Sequence, residues 1–214
     1  MRIGIFGGTF NPIHMGHLIA AEEIRQSRSL DRVLFVPSAR PPHKPAPELL
    51  CAESRLEMAR LAIQGNPAFE VSEIELERRG RSYSVETIET LYNQWGKDQA
   101  LYFILGIDAF LEIDSWYAPA RLIRLCHFVV MSRPGYSFQE VCSVLSGTFG
   151  IECNTTDRRI PLPAGHTLFL EEVTPIGISS TGIRRRIREG RSVKYLLPRP
   201  VESYILSNHL YVES

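Results

Sequence analysis

His14 and His17 stand at the end of the run Gly7-Gly8-Thr9-Phe10-Asn11-Pro12-Ile13-His14-Met15-Gly16-His17. Their spacing puts both imidazoles on one face of a helix. A short apolar run, Ile3 to Phe6, comes before, and the helix-like Leu18 to Ile24 follows, so the order is strand, glycine turn, helix. A turn at the carboxyl end of a first strand aims backbone N–H groups at whatever binds above the sheet, and a helix N-terminus adds partial positive charge. Phosphate is the natural guest. A zinc site of the H-E-x-x-H kind is disfavoured, because the histidine spacing is wrong and the segment holds no third ligand. The glycines match neither G-x-x-x-x-G-K-[ST] nor G-x-G-x-x-G, which speaks against a P-loop kinase and a standard NAD dehydrogenase.

Thr174-Pro175-Ile176-Gly177-Ile178-Ser179-Ser180-Thr181-Gly182-Ile183-Arg184 repeats that logic near the C-terminus. Ser179 or Ser180 can cap a helix running to about Glu189, where Gly190 stops it. The residues alone allow a capped surface helix with its arginines in solvent, or a second anion site of hydroxyls, free N–H groups and Arg184. Two such helix starts fit a polyphosphate better than a single phosphate.

The elements that must position these groups follow from apolar periodicity. Strands are expected at Arg2 to Phe6, Arg32 to Val36, Phe69 to Ile74, Leu101 to Leu105, Phe128 to Met131 and Thr167 to Leu170. Helical stripes lie between them, over Ser54 to Ile63 and from Val85 to Trp95, the second with Ser84 as its cap. This alternation predicts an α/β chain, a Rossmann-like doubly wound parallel sheet with a small C-terminal helical portion from about residue 176. Ligands in such sheets sit at the carboxyl ends of the strands near the topological switch point. The proline-rich segment 37–47, with His43 and Lys44, must be a loop, either a plain connection or a charged flap. Gly147 to Gly165 reads as an irregular excursion.

With 214 residues and 44% apolar composition the chain can bury one sizeable core, so a single domain, 1–214, is expected. Lys plus Arg and Asp plus Glu both number 24, so no global field recruits nucleic acid or membrane. Cys51, Cys126, Cys142 and Cys153 form no C-x-x-C pair and read as reduced packing residues. No basic-then-apolar leader is seen, and no apolar run approaches about 18 residues, so the chain is expected to be cytoplasmic.

The first run resembles the H-x-G-H signature of the nucleotidyltransferase superfamily, and Ile178 to Arg184 resembles its I-S-S-T-x-I-R partner. Within that superfamily the chain is most similar to the bacterial nicotinate-mononucleotide adenylyltransferases. Pro41-Pro42-His43-Lys44, Ser82-Tyr83-Ser84-Val85-Glu86-Thr87, Gly106-Ile107-Asp108, Trp116-Tyr117 and Val193 to Pro198 follow the same order and spacing. The resemblance covers about Met1 to Leu206. One departure is that the family usually has S-Y-T-x-D-T where this chain has Ser84 and Glu86.

The resemblance implies transfer of AMP from ATP to the phosphate of nicotinate mononucleotide, giving nicotinate adenine dinucleotide and pyrophosphate. It implies catalytic roles for His14, His17, Lys44 and Arg184, and ATP contacts from Gly7, Gly8, Thr9, Phe10, Gly16, Gly106, Asp108, Ser179, Ser180 and Thr181. Ser84, Thr87, Trp116, Tyr117 and Arg133 would meet the mononucleotide. On the residues alone, the alternatives are a helix cap for Asp108 and a solvated loop side chain for Arg133. Mg2+ would ride on the ATP phosphates with no dedicated protein cage, and homo-oligomerisation is left open. The alternatives are a related adenylyl- or cytidylyltransferase with another phosphate acceptor, and a nonenzymatic nucleotide sensor.

Overall fold

The computed structural model describes residues 1–41, 49–78, 80–96, 98–154 and 156–212. Its strands are β1 Arg2–Gly8, β2 Arg32–Pro37, β3 Phe69–Val71, β4 Ala100–Gly106, β5 His127–Met131, β6 Arg159–Pro161 and β7 Thr167–Glu171. They form one sheet in the order β3-β2-β1-β4-β5-β7-β6. Every pairing is parallel except the last, β6 with β7. The chain leaves β1 in one direction through β2 and β3, then returns to add β4 on the other side of β1. That reversal makes the crevice between β1 and β4 the switch point.

Period-two alternation along the strands separates two cores. Ile3, Ile5, Leu34, Val36, Phe103, Leu105, Phe128 and Val130 face α3 (Ser84–Trp95) and α6 (Phe138–Phe149), burying Val85, Ile88, Leu91, Val141 and Leu145. The intervening Phe6, Val33, Phe35, Ile104 and Val129 face the other way. There they pack with α1 (Met15–Ser27), α2 (Ala52–Ala62), α7 (Ser180–Arg188) and α8 (Arg199–Ser207). Two short helices, α4 (Ile107–Leu111) and α5 (Pro119–Leu122), complete the order between β4 and β5. Strands buried on both faces are what a parallel sheet requires, and they explain the nearly continuous apolar runs.

Several expectations are corrected. The segment 147–165 is not wholly irregular: Gly147 to Phe149 finish α6, and β6 is an antiparallel edge strand. With three residues, of which only Ile160 is buried, and Pro161 at its end, β6 carries no alternation to read. β3 stops at Val71, short of Ile74. The cap of α3 is Tyr83, whose backbone is extended, and Ser84 is already helical.

The cysteine expectation also changes. Gly150 closes α6 in a left-handed C-cap, with its N–H on the Ser146 carbonyl and that of Ile151 on the Leu145 carbonyl. This reversal lays the following chain back along the helix. Cys153 thereby reaches Cys142, Cα to Cα 5.7 Å, and the two are joined by a disulfide. Cys51 and Cys126 are free thiols, exposed and buried respectively. Reduction is expected to cost about 2–3 kcal/mol, the chain-entropy figure for a loop of this length. Thiol titration of denatured protein isolated without reductant should therefore find two thiols, and four after reduction; four from the outset would remove the bond.

Candidate active site

The turn after β1 supplies the first wall of the site. His14 is the N-cap of α1 and is buried, while His17 sits one turn on. Their rings lie 3.7 Å apart, centroid to centroid, tilted by 30°. The His14 backbone N–H donates to His17 Nδ1 at 3.1 Å. An accepting Nδ1 leaves Nε2 as the nitrogen that carries the proton, so His17 is set as a hydrogen-bond donor. Phe10 is buried and presents its ring edge-on to His17 at 5.2 Å, with Phe6 at 6.2 Å. Phe10 thus acts here through the imidazole that it steadies.

Burial, and secondarily the charge of Arg133, push the His14 pKa down to about 4. It is therefore neutral at neutral pH. Its Nδ1 is buried with no hydrogen-bond partner among the described residues. A Cβ on Gly16 would stand 3.1 Å from that atom. Glycine at this position thus leaves room for the His14 ring.

The C-terminal run is bonded directly to this turn. Ser179 caps α7, accepting from the Gly182 N–H at 3.1 Å. Ser180 Oγ donates to the Pro12 carbonyl at 2.9 Å, and Arg184 donates to the Asn11 carbonyl at 2.9 Å and to Thr181 Oγ1 at 3.4 Å. Residues more than 160 positions apart in sequence thus meet as two jaws. Tyr211 Oη adds a bond to Asn11 Oδ1 at 2.9 Å, and the Leu196 carbonyl accepts from the Met15 N–H at 3.0 Å.

Beside the jaws, over the switch point, lies a cavity of about 600 Å³. Gly7, Gly8, Thr9 and Gly106 line it at the strand ends, and Ser84, Thr87, Trp116 and Tyr117 farther out. The Trp116 ring is held edge-on by Phe103 at 6.1 Å, and Tyr117 pairs with Tyr83 at 4.6 Å. Thr87 faces a buried network: its hydroxyl donates to Glu75 Oε1 at 2.7 Å and accepts from Arg78 at 3.1 Å. Glu86 in turn pairs with Arg78 at 3.6 Å. That gives Glu86, one of the two departures from the family pattern, a definite partner.

The remaining expected residues divide. Gly106 is the N-cap of α4, Asp108 lies in its first turn, and Arg133 is ion-paired with Asp108. Arg133 stands near enough to His14 to disfavour its protonation, and it is not among the residues lining the cavity. Lys44 and His43 lie outside the described residues. Sequence reasoning missed Arg55, Glu75, Tyr83 and Arg81. Arg55 left a signal, an arginine on the apolar face of α2 with Ala59 and Ala62.

Comparison with known proteins now bears on this geometry. Residues 5–186 match the cytidylyltransferase-like family. A Geotalea daltonii protein named "Probable nicotinate-nucleotide adenylyltransferase" is 45% identical over 99% of this chain and 98% of its own length. One of the same name from Moorella thermoacetica is 43% identical over 98% of this chain and 91% of its own. The chain belongs to the nicotinate-nucleotide adenylyltransferase family. It is therefore a nucleotidyltransferase. Its fold is also that of the Plasmodium falciparum nicotinic acid mononucleotide adenylyltransferase complexed with NaAD, with a TM-score of 0.75 at 19% identity, over 98% of this chain and 97% of that one. Among the described residues no helix is long and apolar enough to cross a membrane, and no cluster of three or more His, Cys, Asp or Glu is placed to hold a metal ion.

The buried His14 makes this adenylyltransferase sensitive to acid. In the folded protein its pKa, about 4, lies below the ordinary histidine value of about 6.5. Between those values the unfolded chain binds more protons, so stability is full above pH 6.5 and is lost as pH falls through about 4. The loss is expected to reach about 3 kcal/mol. Urea unfolding midpoints measured from pH 7 to pH 4 should fall less steeply for His14→Asn than for the unsubstituted protein.

Proposed function

We propose that this site catalyses the family's reaction, transfer of AMP from ATP to the 5'-phosphate of nicotinate mononucleotide, with the jaws holding ATP and the cavity holding the acceptor. The observation that carries this reading is the bonding of Ser180 and Arg184 onto the Asn11–Pro12 turn beside a cavity lined by Trp116, Tyr117 and Ser84. An acceptor phosphate is already ionised at neutral pH, so no general base is required. Its oxygen forms a bond to the α-phosphorus, the bond from that phosphorus to the β-bridging oxygen breaks, and pyrophosphate leaves in line. The barrier is chiefly electrostatic and geometric, which suits preorganised donors and cations.

In this reading His17 Nε2–H meets the α-phosphate, and His14 offers a neutral imidazole whose unpartnered Nδ1 gains a partner when ATP binds. Thr181, Arg184 and the first N–H groups of α7 take the β- and γ-phosphates, with Lys44 assisting. Arg133, paired with Asp108, carries positive charge toward the same phosphates, and Asp108 is the acceptor for ribose hydroxyls. Trp116 stacks on the pyridine ring, flanked by the Tyr83–Tyr117 pair. Magnesium fits as the companion of the triphosphate, since the nearby Asp108 is already engaged by Arg133 and phosphate and water oxygens suit this ion. When bound it would neutralise charge on the leaving pyrophosphate. A cytoplasmic setting goes with this reading, since both substrates are small soluble nucleotides.

His17→Ala is expected to lower kcat by roughly 10² to 10³, the effect of losing one preorganised donor, with the fold intact by circular dichroism. Trp116→Ala should raise KM for the mononucleotide about tenfold and leave KM for ATP nearly unchanged, as loss of a base-stacking ring does. The deciding assay is pyrophosphate release with ATP or CTP against nicotinate mononucleotide, nicotinamide mononucleotide and phosphopantetheine. Turnover only with CTP, or only with phosphopantetheine, would overturn the assignment.

A further inference from the structure

Arg55 is the largest wholly buried side chain among the described residues, and nothing in the reaction described above uses it. Desolvation lowers its pKa below the ordinary arginine value. Among the described residues it makes no ion pair. Its guanidinium instead donates to three backbone carbonyls: Nε to Leu50 at 3.0 Å, Nη1 to Thr9 at 2.8 Å and Nη2 to Ala39 at 3.1 Å. Thr9 belongs to the phosphate turn after β1, Ala39 to the chain leaving β2, and Leu50 to the approach to α2. A rigid fork with several donors can span three carbonyls at fixed angles, which a lysine ammonium cannot.

The tie continues past Ala39. The N–H groups of Ala39 and Arg40 both donate to Ser82 Oγ at 3.1 Å, and the Ser82 N–H returns a bond to the Arg40 carbonyl at 3.3 Å. Ser82 lines the cavity, next to Tyr83 and Ser84. A continuous relay therefore runs from Thr9 through Arg55, Ala39 and Ser82 to the acceptor-side loop. It joins the two walls whose separation fixes how far the acceptor phosphate stands from the α-phosphorus. A misplacement of about 1 Å in such a geometry can cost a factor of about 10² in rate.

We propose that Arg55 is a positioning residue that sets the spacing between the phosphate turn and the acceptor loop through Ala39 and Ser82, without touching either substrate. This rests on the functional reading above. The peptide that accepts from Arg55 at Thr9 is the one whose N–H belongs to Phe10, so the same bond also fixes the direction of a turn amide.

The test is steady-state kinetics with ATP and nicotinate mononucleotide for the full-length protein and for Arg55→Lys, Ser82→Ala and the double variant, with thermal unfolding of each. Arg55→Lys keeps the charge and removes the fork. It is expected to stay folded, to lose about 10- to 100-fold in kcat, and to change both KM values less than about threefold. Ser82→Ala should lose about 3- to 10-fold in kcat with the same pattern. The double variant should lose less than the product of the two single losses, as members of one relay do. A folded Arg55→Lys with unaltered kcat, or losses that multiply, would overturn the proposal. If Arg55→Lys does not fold, Ser82→Ala decides, since unchanged kcat there breaks the relay. Failure of the functional reading is separately visible, because the unsubstituted protein would then release no pyrophosphate from this substrate pair.

Discussion

The site depends on one constraint: three carbonyls of the turn after β1 are held in fixed directions by donors from distant segments. Thr9 gives its carbonyl to Arg55, Asn11 to Arg184 and Pro12 to Ser180. A trans peptide whose carbonyl is fixed in one direction has its N–H fixed in the opposite one, which here sets the N–H groups of Phe10 and Ile13, while the Asn11–Pro12 peptide has no N–H to set. Anion recognition by backbone needs the N–H groups aligned and the carbonyls elsewhere, since a carbonyl aimed at phosphate would repel it. The buried fork of Arg55 and the closure of α7 onto the turn are thus two means to one end. They also explain why the C-terminal run must lie beside the first strand although almost the whole chain separates them.

Charge is used sparingly around that turn. The chain is neutral overall, and His14 is held uncharged by burial and by Arg133. Hydrogen bonds from neutral donors cost less desolvation than buried charges, and they supply direction that a point charge lacks. The cations at the jaws are then few and placed: Arg184 on the Asn11 carbonyl and Arg133 on Asp108. A carboxylate paired in this way limits how far Arg133 can swing, so its charge stays close to the histidines. The anion site proposed for these groups needs no basic surface, which is why bulk composition carried no sign of it.

What the sequence made legible was whatever local chemistry determines. The central strands announced themselves as apolar runs because both faces of a parallel sheet are buried, and Ser179 could be read as a cap because its hydroxyl accepts from the N–H of Gly182, only three residues on. The two jaws could be paired only by chemical likeness. Features that depend on tertiary approach were hidden. The Cys142–Cys153 bond needs the reversal at Gly150, β6 needs β7 beside it, and the place of Arg55 on the apolar face of α2 hinted at burial without showing the three carbonyls that its guanidinium joins. The Ser137–Glu140 capping box of α6 is an intermediate case, since its S-x-x-E spacing was present to be read. The Ser84 expectation failed because a serine can serve as cap or as lining, and here the backbone of Tyr83 takes the first position.

The same alternation that separates the two cores also separates the two halves of the site. Ile5 lines the cavity from β1, while its neighbour Phe6 points to the other face and meets the His17 ring. On β4, Phe103 and Leu105 line the cavity and the intervening Ile104 belongs to the opposite core. A donor nucleotide held over the histidine face and an acceptor held over the cavity face would be kept apart by the strand itself. They can meet only past its end. There the chain places Gly7 and Gly8, which line the cavity and carry no side chain to stand between the two. Gly8 also makes room for the Phe10 ring, which a Cβ there would approach to 2.8 Å, and that ring is the one set edge-on to His17, so the glycines at the tip of β1 serve the histidine side as well as the cavity.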